Sequence, residues 1–61
     1  MRIHEIIKIS EKDGVKSKSE LDSRLAELKS ENWSILDCIS YVSQNQNCDL
    51  HEAMHIVVNS S

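Results

Sequence analysis

The chain has 61 residues, of which 39% are apolar and 28% charged, with one glycine, no proline and a formal net charge of -3. No apolar run is long enough to cross a bilayer, and the opening Met1-Arg2-Ile3-His4-Glu5 lacks the apolar stretch of a secretory leader, so a cytoplasmic protein with no membrane partner is expected. A chain of this length holds one core, which makes 1–61 a single helical domain and leaves little material for the walls of an enzyme cleft.

Ile3, Ile6 and Ile7 recur at helical spacing, while Ile7 and Ile9 alternate as in a strand, so residues 2–12 are open between the two. A helix is favoured because Asp13-Gly14 supplies its stop, glycine taking a left-handed end without steric cost. Residues 13–18 read as a polar linker. Ser17 with Glu20, or Ser19 with Asp22, then forms a capping box. Leu21, Leu25 and Leu28 follow at i, i+4 and i+7, which places an amphipathic helix over 19–31.

A third helix is expected over 35–46. Ser34 caps it with Asp37 reaching back, and Trp33 stands where a hydrophobic staple belongs. Ile35, Cys38, Ile39 and Val42 share one face, and Tyr41 projects away from Leu36. Gln44-Asn45-Gln46-Asn47 ends the apolar pattern. Asp49 and Glu52 cap a last helix over 50–58, with Leu50, Ala53, Met54 and Val57 as its stripe and a frayed Asn59-Ser60-Ser61 tail. The expected fold class is all-α, a small three- to four-helix domain ending in a helical hairpin.

His51-Glu52-Ala53-Met54-His55 resembles the H-E-x-x-H signature of zinc proteases, a resemblance that implies His51 and His55 as ligands and Glu52 as general base. A catalytic zinc needs a third protein ligand, and the residues after His55 offer none. Glu52 also has an ordinary role as a helix-capping partner of Asp49. The reading adopted is therefore noncatalytic, with no enzyme activity, no cofactor and no metal. Cys48, His51 and His55, with Cys38 or His4 as a fourth ligand, constitute the remote zinc-binding alternative. Cys38 and Cys48 are separated by about 15 Å of helix, too far for a disulfide, and read as small apolar residues of a reducing compartment.

Ile39-x-x-Val42 and Cys48 to Val57 resemble the helical hairpin in the C-terminal domain of the bacterial ribosomal stalk protein. That family contacts translation factors through basic residues on the hairpin surface. The resemblance implies a hairpin here, with Ser, Asn, Met and His at those surface positions.

Charge is distributed unevenly. All seven cations lie in residues 1–32, against seven of the ten acids, while residues 33–61 carry only Asp37, Asp49 and Glu52. A helix pair without Lys or Arg is a poor match for phosphate, so no nucleic-acid partner is expected. Its outward positions, read as Ser40, Tyr41, Ser43, Gln44, Asn45, Gln46, Asn47, His51 and His55, lack permanent charge, as interface cores do. The expected function is a protein-binding module, an adaptor, regulator or inhibitor, contacting its partner through Trp33, Tyr41, Gln44, His51 and His55. The alternative is a homodimer formed through the same face.

Overall fold

A computed structural model describes residues 3–59, which form four helices: α1 (Ile3–Asp13), α2 (Lys18–Ser30), α3 (Ile35–Gln46) and α4 (Leu50–Asn59). There is no strand among the described residues, and the ambiguity of the first segment resolves as helix. The all-α expectation holds. The expected start at residue 2 and Ser60-Ser61 of the expected tail lie outside the described residues; Asn59, read as part of that frayed tail, is instead the last residue of α4.

The ends of α1, α2 and α3 and the starts of α2, α3 and α4 each have a local cause. Gly14, at φ 76°, ends α1 and donates its amide to Ser10 O at 3.1 Å. Ser17, not Ser19, caps α2: its Oγ accepts from Glu20 N while Glu20 Oε1 accepts from Ser17 N. Ser34 and Asp37 build the same reciprocal box at α3, and Asp49 Oδ1 accepts from Glu52 N at 2.8 Å before α4. These side chains satisfy amide donors that a helix start leaves without partners.

Two asparagines close the ends that glycine does not. Asn32 takes φ 67° after α2, letting Trp33 N reach Leu28 O and Asn32 N reach Lys29 O, each at 3.1 Å. Asn47 takes φ 52° after α3, and Cys48 N reaches Ser43 O at 3.2 Å. Asparagine tolerates this left-handed conformation better than most residues with a Cβ, which is why it can replace glycine at a helix end. The tight turn at Asn47 returns the chain, so that α4 packs back on α3 as a hairpin.

The core is one cluster of Ile6 from α1, Leu21, Leu25 and Leu28 from α2, Cys38, Tyr41 and Val42 from α3, and Ala53 and Val57 from α4. α3 is its centre, packing against each of the other three helices. The three leucines of α2 occupy the face their spacing assigns. α3 is different: its buried arc runs through Asp37, Cys38, Tyr41, Val42 and Asn45, leaving Ile35 exposed and Ile39 half-buried. On α4 only the Ala53 and Val57 side of the stripe is covered, and Leu50 and Met54 remain exposed.

Candidate functional site

Tyr41 is fully buried, which corrects its outward placement in the sequence reading. Its ring lies in the core and its hydroxyl donates to Asp13 Oδ2 at 2.7 Å, where Arg24 Nε also donates at 3.0 Å. α3 is turned so that Tyr41 faces the core. The polar end of an aromatic side chain can be buried when it finds a partner, and Asp13 at the end of α1 provides one. Burial together with the hydrogen bond to Asp13 pushes the Tyr41 phenol well above its ordinary range. Burial alone would raise the Asp13 carboxyl, but hydrogen bonds from Tyr41 and Arg24 outweigh it and hold Asp13 below its usual range.

The uncharged tract at the end of α3 is largely spent inside the molecule. Asn45 is buried; its Nδ2 donates to Gly14 O at 2.7 Å and its Oδ1 accepts from Lys16 N at 3.1 Å. Gln46 Nε2 donates to Lys16 O at 3.0 Å and to Asn45 Oδ1 at 2.7 Å. Gln44 is exposed, yet its Oε1 accepts from the buried Ser10 hydroxyl. Together these amides hold the connection between α1 and α2 against α3. The outward placement of Asn45 is thereby corrected as well. A buried backbone group needs a partner, and side-chain amides can both donate and accept. The side-chain amides at the end of α3 thus have an internal role, separate from any partner.

Trp33 is half-buried, packs on the core cluster and donates its indole N–H to Glu31 Oε1 at 3.4 Å. His51 and His55 are exposed on one side of α4, and His55 Nδ1 lies 2.8 Å from Asn59 Nδ2. A groove of about 590 Å³ between α2 and α4 is lined by Lys18, Leu21, Asp22, Gln46, His55, Ile56 and Asn59. His51 and Glu52 do not line it. The H-E-x-x-H letters therefore do not converge on a shared cleft, and Glu52 serves the cap of α4. Among the described residues no three His, Cys, Asp or Glu side chains gather as a metal-binding group.

Cys38 is buried and Cys48 half-buried; both are free thiols, and burial raises both above the ordinary thiol range. Desolvation disfavours the thiolate, which makes them poor nucleophiles.

The surface that the sequence reading missed is apolar. Leu50, Met54 and Val58 are four residues apart on α4, so they form one strip along the helix. With Ile35 and Leu36 of α3 they are between 45% and 66% exposed. The signal is present in the sequence: Leu50, Met54 and Val58 stand at i, i+4 and i+8, but periodicity alone assigns the stripe whole to the core. The buried side needs only Ala53 and Val57. His51 and His55 follow the strip one residue on, along its border. No helix among the described residues is long and apolar enough to cross a membrane. No family model, no curated protein and no solved structure matches the chain.

Proposed function

We propose that the chain is a noncatalytic protein-binding module whose docking face is the exposed apolar strip of α4 with the neighbouring helix α3. The observation that carries this reading is the exposure of Leu50, Met54 and Val58 in line along α4; at the Val58 end of the hairpin, where α3 begins, Ile35 and Leu36 are exposed as well. Isolated apolar residues on a surface are ordinary, whereas an aligned group along a helix is a feature of interaction sites. Met54 at the middle of the strip adds a flexible side chain that adapts to a facing surface.

Of the residues the sequence singled out, His51 and His55 border this face and belong to the reading; Tyr41 does not, because it is buried. Trp33 has its indole directed to Glu31 and its body on the core, and Gln44 is engaged by Ser10, so neither anchors the contact.

A photo-cross-linking amino acid placed at Met54 tests the reading. Irradiation in native extract is expected to give a defined adduct from position 54 and none from Glu27, an exposed site on α2. Equal labelling from both positions, or none from 54, refutes it.

A further inference from the structure

We infer that the occupant of the apolar strip is a second copy of this chain, paired about a two-fold axis that passes near Met54. This inference rests on the docking-face reading above and specifies its partner. The strip itself carries no charged side chain. Asp37 is buried, Glu52 stands two residues from Leu50, about 200° around α4, on the other side of the helix, and the exposed Asp49 caps the N-terminal end of α4 beside Leu50. An antiparallel pair keeps the two Asp49 carboxylates at opposite ends of the contact, so two copies meet along the strip without like-charge repulsion. The charged side chains of α1 and α2 would stay in solvent.

The strip also has the symmetry that pairing requires. Leu50 and Val58 are eight residues apart, about 12 Å along the axis, with Met54 midway. Antiparallel α4 helices would place Met54 against Met54 of the second copy, and Leu50 of each copy against Val58 of the other, which is the reciprocal arrangement of an isologous contact. Five side chains at half to two-thirds exposure offer on the order of 500 Å² per copy, on the order of 1,000 Å² for the pair. That area is at the low end for a specific interface, so the dimer is expected to be reversible and dependent on concentration.

Sedimentation of the purified chain from micromolar to millimolar concentration reads the outcome. The expected mass rises from 7.0 kDa toward twice that value. Met54→Lys, which brings two cations together at the axis, is expected to shift the midpoint of association at least tenfold upward in concentration while the helical circular dichroism is retained. If Met54→Lys fails to fold, Met54→Gln serves in its place. Leu50→Lys and Val58→Glu are each expected to weaken association. An equimolar mixture of the two is expected to restore it, because the cation introduced in one chain then faces the carboxylate introduced in the other, while the unaltered Leu50 and Val58 meet at the second contact.

A monomer at every concentration, association unchanged in Met54→Lys, or no rescue by mixing overturns the two-fold pairing. A strictly monomeric chain whose position-54 probe still labels another protein overturns self-association and leaves the docking face standing. A monomer with no adduct at all overturns both.

Discussion

The Tyr41 hydroxyl and the Asp13 carboxylate are joined at 2.7 Å, and Arg24 reaches the same carboxylate oxygen at 3.0 Å. One oxygen thereby ties the end of α1 to the middle of α3 and to α2. A hydrogen bond to a charged group contributes roughly 1.5–3 kcal/mol, more than a neutral one. Tyr41→Phe keeps the buried ring and removes only the donor, so it is expected to lower unfolding free energy by about 1–2 kcal/mol with the urea m-value unchanged. Asp13→Asn combined with Tyr41→Phe should cost less than the two changes summed. Strict additivity in that double-mutant cycle would show that the two groups do not meet in solution.

The same contact sets a pH dependence. Because the folded-state pKa of Tyr41 is raised, its stabilising effect is complete below the unfolded value of about 10 and declines as pH rises above it, where only the unfolded chain releases the proton. Asp13 runs the other way: its folded pKa is lowered, so its contribution is complete above the unfolded value of about 3.9 and falls away as pH drops through the folded one. Phenolate absorbance should therefore appear together with the loss of helical circular dichroism in an alkaline titration. A phenolate that forms near pH 10 in a chain still fully helical would contradict the buried bond.

The capping sequences made the helices legible. Ser34 with Asp37 and Asp49 before Glu52 act locally, within one turn, so a single sequence states them, whereas at α2 Ser17 with Glu20 competes with Ser19 and Asp22 and leaves the first turn open. The buried side of α3 was legible at Cys38 and Val42 but not at Tyr41 and Asn45, because the rest of it depends on where Asp13, Gly14 and Lys16 of the preceding helix and linker arrive. Periodicity favours Ile35 and Ile39 for the core. Hydrogen bonds across about thirty residues instead turn Tyr41 and Asn45 inward. The same rotation accounts for the exposed apolar residues of α3: with Tyr41 filling the centre, Ile35 and Leu36 are left outside.

Asn45 gives a direct measure of that long-range effect. Replacing it with Ala removes two part-buried hydrogen bonds, to Gly14 O and from Lys16 N, each contributing roughly 0.5–1.5 kcal/mol. Asn45→Ala is expected to destabilise by about 2 kcal/mol and to speed amide exchange at Lys16 before any change at Leu25 in the core. Unchanged protection at Lys16 would mean that the clamp is not formed.

Asn32 offers the opposite sign. At φ 67° it holds a conformation that glycine adopts freely, so Asn32→Gly is expected to leave stability unchanged or raise it by a few tenths of a kcal/mol. Asn32→Val places a β-branched side chain in the left-handed region and should cost about 1–2 kcal/mol. Equal stabilities for the two variants in urea would show that the turn after α2 is not left-handed.

His51 and His55 supply the last test, because the same five letters carry both a helix cap and a metal signature. Both rings are exposed, and Glu52 N donates to Asp49 Oδ1, so the segment has a structural purpose without an ion. Substituting both histidines by Ala at exposed positions is expected to change stability by no more than about 0.5 kcal/mol, and a chelator to leave the thermal midpoint in place. A metal that binds the folded chain would raise that midpoint by linkage, and stripping it would lower the midpoint in the wild type but not in the double variant. That difference between the two proteins, measured side by side by circular dichroism, would assign the pair to metal binding and end the purely structural account of α4.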